Sequence, residues 1–218
     1  MILGACGFIG SGKGTVGDYL VQEKGWKTLS FAKTLKDMTA CVFSWPRELL
    51  EGDTSDSRAW RETIDPWWSK KLGKPGLTPR WVLQNLGTDV MRTHFHDDIW
   101  ILSLERRLAS ISSDVIITDV RFPNEIKMIR SLDDGNTVWI RRGQLPEWYG
   151  MAQAANDPMF LHAPEAHDEM VKLGVHQSEW AWVGQPMDYV IQNDDTVKEL
   201  HDKIDDLILN IENNRPKR

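Results

Sequence analysis

The sequence predicts an α/β fold, a five-stranded parallel sheet flanked by helices, on three observations. Apolar β-rich runs recur along the chain, helical patterns separate them, and a glycine-rich loop follows the first run directly. The clear runs are ILGAC at 2–6, VIITDV at 115–120, TVWIRR at 137–142 and MDYVIQN at 187–193, with a weaker fifth, WKTLSF, at 26–31. Their hydrophobicity is continuous rather than alternating, as in strands covered on both faces.

The segments between them read as helices: GTVGDYLVQEK, AKTLKDMTACVF, PRWVLQNLGTDVMRTHF, DIWILSLERRLASI and PNEIKMIRSL. In the third, Thr78 is placed to cap and Pro79 to take the first helical position. The last helix, TVKELHDKIDDLILNIEN, is expected to bury Val197, Leu200, Ile204, Leu207, Leu209 and Ile211 on one face. Strand and helix alternation of this kind gives a doubly wound sheet. Two stretches interrupt it, 46–78 and 143–186, and a structureless loop of that length is expected only where it is functional, such as a lid.

With 218 residues, 41% of them hydrophobic and 27% charged, the chain suits a single domain, 1–218, carrying those two insertions. Disorder is expected only in the tail NNRPKR. The net charge of −6 argues against a broad nucleic-acid footprint, which needs clustered uncompensated Lys and Arg. No apolar run is long enough to span a bilayer and no basic leader precedes the first strand, so a cytoplasmic chain is expected, in host cytoplasm if phage-encoded. Cys6 and Cys41 read as two buried thiols, since each lies in an apolar stretch and they are far apart. A homodimer is left open.

The loop is GFIGSGKGT, residues 7–15. Gly7, Gly12 and Lys13 have the G-x-x-x-x-G-K spacing of a phosphate-binding P-loop, between a strand and a helix as that motif requires. Backbone N–H groups from Gly10, Ser11, Gly12, Lys13, Gly14 and Thr15 then converge on phosphate oxygens, and Lys13 offsets their charge. Gly14 stands where a magnesium-binding Ser or Thr is usual, and Thr15 follows it. The alternative is a glycine-rich turn with no ligand.

VIITDVRFPNE places Asp119 at the carboxyl end of a strand, where ligands bind in open α/β sheets. A carboxylate there suits magnesium or its water shell, and Arg121, on the same side of an extended chain, suits a phosphate. The plainer alternative makes Asp119 a cap for the helix near Pro123 and pairs Arg121 with Glu125.

Taken in order, GFIGSGKGT, SFAKTLKD, PRWVLQNLGTDVMRTHFHDDIW, IITDVRFPNE and VIQNDDTVKEL resemble phage-type deoxynucleoside monophosphate kinases, with a fainter likeness to phosphomevalonate kinase. The G-K-G-T form of the loop is similar to that of adenylate kinase and its nucleoside monophosphate kinase relatives. The resemblance implies a P-loop kinase fold with a lid, ATP and Mg2+ as cofactors, and transfer of the γ-phosphoryl group to a deoxynucleoside 5′-monophosphate. It implies that Lys13 bridges the β and γ phosphates, that Thr15 helps bind phosphate, and that Thr15 and Asp119 serve the metal. Lys36, Arg80, Gln84, Arg92, Arg121 and Glu125 fall on the acceptor side, with Arg80 for the monophosphate and Gln84 for the base edge. Arg142 joins Lys13, Asp119 and Arg121 as catalytic, and Asn193 and Asp194 mark a loop beside the adenine. Each basic side chain read singly is also an ordinary solvated helix charge.

The segment 143–186 departs from the resemblance except for the H-x-x-E of His162 to Glu165, similar to a lid motif. Lids of that family are basic, whereas this one holds only Lys172, leaving Arg141 and Arg142 at its base. In HFHDD, His94, His96 and Asp98 alternate, but i and i+2 side chains diverge on a helix and make a poor metal site. Trp67, Trp68 and Trp81 suit packing better than stacking on a base. Two other functions fit the loop: a P-loop kinase for dephospho-coenzyme A or phosphomevalonate, and a regulatory module that binds nucleotide without transferring phosphate.

Overall fold

The computed structural model describes residues 1–214; the last four residues of the tail NNRPKR lie outside the described residues. Five strands, β1 (Ile2–Cys6), β2 (Lys27–Leu29), β3 (Val115–Ile117), β4 (Gly135–Arg141) and β5 (Tyr189–Gln192), form one parallel sheet in the order β2-β3-β1-β4-β5. Every expected run supplies a strand, several of them shorter than the run. The third ends at Ile117, so Asp119 stands two residues beyond its strand.

Ten α-helices are present among the described residues: α1 (Lys13–Lys24), α2 (Lys33–Phe43), α3 (Ser55–Arg61), α4 (Pro66–Lys71), α5 (Pro79–Gln84), α6 (Ile99–Leu108), α7 (Pro123–Ser131), α8 (Tyr149–Asn156), α9 (Ala163–Lys172) and α10 (Val197–Asn214). They are distributed over two compact units, one made of residues 1–29 with 112–214 and the other of residues 30–111.

The first unit contains the sheet. Leu3, Ala5, Ile116, Val138 and Ile140 pack with Val16 and Leu20 of α1 and Leu200 and Ile204 of α10, all buried. On α10 the inward face is Leu200, Ile204, Leu207 and Ile211, whereas Val197 and Leu209, expected on that face, are exposed. Leu209 is two positions from both Leu207 and Ile211, and a step of two carries a helical side chain to the far side.

The second unit is helical. Its core is Trp45, Leu50, Leu77 and Val82, ringed by Phe43, Trp60, Trp68 and Trp81. The stretch 46–78, read from sequence as an interruption, contains α3 and α4, each with its own N-cap. Thr54 and Ser57 form a reciprocal capping box, and Asp65 accepts the Trp68 N–H ahead of Pro66. Thr78 caps α5 through the Trp81 N–H with Pro79 in the first turn, as expected. Cys41, expected to be buried, is exposed, while Cys6 is buried. Leu35 and Thr39 set the inward face of α2, and Cys41 lies two residues beyond it.

The single helix expected over 79–95 changes its winding at Asn85 and runs to Phe95 as a π-helix. The wider winding leaves the Gly87 carbonyl to accept the Trp100 indole N–H at 2.7 Å, an internal bond that satisfies the buried oxygen. A side chain at Gly87 would strike Leu35 of α2 at 2.6 Å, so glycine permits this close approach.

Candidate active site

The loop after β1 has the backbone that a phosphate cradle needs. Gly7 and Gly12 have φ of 146° and 102°, which side-chain-bearing residues rarely adopt. A Cβ at Gly7 would run into the Ile140 carbonyl, and one at Gly12 into the Asn193 amide. The loop closes on itself where the Ser11 N–H donates to the Phe8 carbonyl at 3.2 Å. Helix α1 then starts at Lys13 with no acidic residue in its first turn and no side-chain cap among the described residues. Its leading N–H groups and the positive end of its dipole therefore face an incoming anion.

Lys13 bends back over this loop. Its Nζ donates to the carbonyls of Gly7 at 2.7 Å and Phe8 at 2.8 Å. Burial lowers its pKa to about 8, and the nearby charge of Arg121 adds to the fall; Glu179 and Asp119 pull the other way. Beneath the loop, burial pushes the Cys6 thiol far up, and its Sγ donates to the Val120 carbonyl at 3.2 Å. Cys6 is thus a protonated core residue rather than a nucleophile.

Asp119 and Arg121 reach the same neighbourhood from the β3–α7 connection. Burial opposes the charge on Arg121, yet Glu179, Asp119 and Glu125 together raise its pKa above the ordinary value. Its Nη1 pairs with Glu179 Oε1 at 2.9 Å and donates to the Ser178 carbonyl at 3.2 Å. The guanidinium partner is therefore Glu179. Glu125 is buried and accepts the backbone N–H groups of Arg121 at 2.7 Å and Phe122 at 3.1 Å. Glu125, expected on the acceptor side, fixes the turn that carries Arg121. The N-cap position of α7 belongs to Phe122, so Asp119 is not that helix's cap.

Asn193, expected beside an adenine, is buried and donates its amide to the Ser11 carbonyl at 2.9 Å, bracing the loop from the end of β5. Asp194 accepts the Gly143 N–H and the Gln192 amide, both at 2.6 Å, tying the ends of β4 and β5. Thr15 is half-buried in the first turn of α1, with Gly14 exposed before it, and Arg142 is exposed just past β4.

The remaining acceptor-side candidates lie in the second unit. Lys36 pairs with Glu51 at 2.5 Å and Arg80 with Glu62 at 3.1 Å. Gln84 closes the last turn of α5, on the face that carries Arg80. Arg92, expected to clamp phosphate, is buried, and its guanidinium donates to the Asp97 carbonyl at 2.9 Å, closing the end of the π-helix.

Two features carried no sequence signal. Glu179 sits in an aperiodic stretch read as a lid-like insertion whose only Lys or Arg is Lys172, and only the fold brings it to Arg121. Phe8, an ordinary hydrophobic position of the loop, packs on Trp182 at 4.9 Å, Trp148 at 5.5 Å and Tyr149 at 6.2 Å. The eleven tryptophans are accounted for in this way. Trp139, Trp148 and Trp182 gather around Phe8 of the loop and Trp180 packs on His167 of α9, while Trp45, Trp60, Trp67 and Trp68 pack together in the second unit beside Phe43. Trp26 and Trp100 are core, and Trp81 lies under the Lys74 ammonium at 4.0 Å.

No family model matches the chain. A protein of Acanthamoeba polyphaga mimivirus that carries the name deoxynucleotide monophosphate kinase is 31% identical over 146 residues, spanning 61% of this chain and 69% of that protein. The deoxynucleoside-5′-monophosphate kinase of Escherichia phage T5 is 46% identical over 55 residues, which are 25% of this chain and 22% of that one. Among solved structures, shikimate kinase of Aquifex aeolicus is 16% identical over 98% of both chains, with a TM-score of 0.47.

Proposed function

The chain belongs to the deoxynucleotide monophosphate kinase family, and from that premise we propose that it transfers the γ-phosphoryl group of ATP to a deoxynucleoside 5′-monophosphate, giving the diphosphate. The observation that carries this reading is the loop itself: Gly7 and Gly12 at positive φ, the N-terminus of α1 with no side-chain cap among the described residues, and Lys13 Nζ seated on the Gly7 and Phe8 carbonyls. Backbone N–H groups at a helix N-terminus with an ammonium seated over them suit a polyphosphate, whose oxygens are better partners for Lys13 than the two loop carbonyls.

Phosphoryl transfer asks chiefly for alignment and charge neutralisation. Gly10, Gly12, Gly14 and Thr15 offer backbone donors, the Ser11 N–H being engaged by the Phe8 carbonyl; Lys13 leaves the loop carbonyls for the β and γ oxygens, and Arg121 stabilises charge on the moving group. Thr15 and Asp119 fit a magnesium ion that arrives with the phosphates. They offer one hydroxyl and one carboxylate, and the described residues contain no cluster of three or more His, Cys, Asp or Glu that would cage a metal. When bound, such an ion neutralises charge on the β and γ oxygens. Lys36 and Arg80 receive the acceptor phosphate, each exchanging a carboxylate partner for it, and Gln84 reads the base edge.

The test is coupled ADP release from ATP and magnesium with dAMP, dGMP, dCMP, dTMP and a modified pyrimidine deoxynucleotide offered in turn. Ribonucleotides and dephospho-coenzyme A serve as controls. Turnover dependent on one or more deoxynucleotides is expected. Turnover with dephospho-coenzyme A alone would move the chain to another acceptor class, and ATP binding without any turnover would make it a regulatory module.

A further inference from the structure

We propose that Glu179 is a positioning residue for phosphoryl transfer, holding the Arg121 guanidinium by one edge so that its remaining N–H donors face the transferring phosphate. The proposal rests on the kinase reading above. Ordinary acids on irregular segments are solvated and mobile, whereas the Glu179 side chain is only 17% exposed and its backbone is fastened on every side. Its N–H donates to the His176 carbonyl at 2.9 Å, and its carbonyl accepts the Trp182 indole N–H at 3.1 Å. The same turn is held by His176 Nδ1, which accepts the Ser178 N–H. Further along, the Asn156 amide donates to the carbonyls of Trp180 and Val183 at 2.8 and 2.9 Å.

Trp182 gives this fastening its meaning for the loop. One part of the side chain holds the Glu179 carbonyl, while the ring packs on Phe8, whose own carbonyl accepts Lys13 Nζ. The stretch 176–183 therefore references Arg121 to the same loop that seats Lys13. Both contacts to Arg121, from the Glu179 carboxylate and the Ser178 carbonyl, fall on Nη1. A guanidinium carries five donors on three nitrogens, so anchoring at one nitrogen leaves the planar fork able to grip a phosphate. Glu179 acts on the reacting atoms only through that arginine.

The experiment combines steady-state kinetics with 15N NMR on the full chain. For Glu179→Gln we expect kcat to fall roughly tenfold or more while KM for ATP stays within about threefold, because orientation in the transition state is lost and ground-state binding is not. Glu179→Asp should recover part of kcat. In an Arg121→Ala background, Glu179→Gln should change nothing further, the signature of two residues acting as one unit. A slowly exchanging guanidinium N–H resonance, assigned by its loss in Arg121→Ala, should be present in the parent and absent in Glu179→Gln. A Glu179→Gln enzyme with unchanged or faster kcat, or equal losses in both backgrounds, would overturn the proposal; the faster enzyme would make the pair a brake. Should Glu179→Gln fail to fold, Glu179→Asp decides through the same resonance and the same split between kcat and KM. If the parent turns over no deoxynucleotide, the kinase reading fails on its own, and the resonance still decides whether Glu179 orients Arg121.

Discussion

Lys13 bears opposite consequences for stability and for chemistry. Its folded pKa of about 8 lies below the ordinary value of 10.5. Below pH 8 both folded and unfolded chains hold the proton, and the burial penalty is present in full. Between pH 8 and 10.5 the unfolded chain binds a proton that the folded one has released, so stability rises with pH and then levels off. Lys13→Met should accordingly be more stable than the parent at pH 7 by about 1–3 kcal/mol, an advantage that shrinks through that window. It should also lose phosphoryl transfer almost entirely. Denaturant melts at pH 7 and pH 10.5 check the first statement, and equal stability of the two proteins at pH 7 would refute the burial argument. At this scale Lys13, Gly7 and Gly12 were legible because their spacing is local. Glu179 on Arg121 and Asn193 on Ser11 were not, since each contact joins residues far apart in the chain.

Capping chemistry decides where the helices of the second unit begin. Thr78 accepts the Trp81 N–H at 3.2 Å at the start of α5, the helix that carries Arg80 and Gln84. Thr78→Ala should cost about 1 kcal/mol of stability. Because the cap sits two residues before Arg80, in the same first turn, the variant should also raise KM for the deoxynucleotide with little change in KM for ATP. Thermal melts and separate titrations of the two substrates measure these effects, and an equal rise in both KM values would remove α5 from the acceptor site. The caps of α3 and α4 carry local signatures of the same kind, T-x-x-S and D-P, that could have revealed both helices within 46–78, where the sequence reading expected only an interruption. The π-helical winding after Asn85 was not legible, because it depends on Trp100 and Leu35 meeting Gly87. Helices α8 and α9 were also missed: Pro, Gly and scattered Met blur the helical period across 143–186.

The two units have separate cores, an aliphatic one around the sheet and an aromatic one around Trp45 and Val82, and separate cores open separately. The parallel sheet was legible from the continuous apolar runs, but the partition into units was not. Residues 30–111 alternate no strand with helix, yet they occupy a single gap between β2 and β3, and only the packing closes them on themselves. This organisation makes ligand protection regional. A ligand stabilises the state to which it binds by RT ln(1 + [L]/Kd), about 2.7 kcal/mol at a hundredfold excess over Kd, and it slows exchange only in those amides whose opening it opposes. ATP should therefore slow amide hydrogen exchange in residues 7–16 and in the strands that brace the loop, while a deoxynucleoside monophosphate should slow it in 30–111, around α2 and α5. Exchange followed by mass spectrometry with each ligand alone reads both effects. Equal protection of all segments by either ligand would mean that the chain opens as one cooperative body, and the assignment of phosphate donor and acceptor to different units would lose its physical basis.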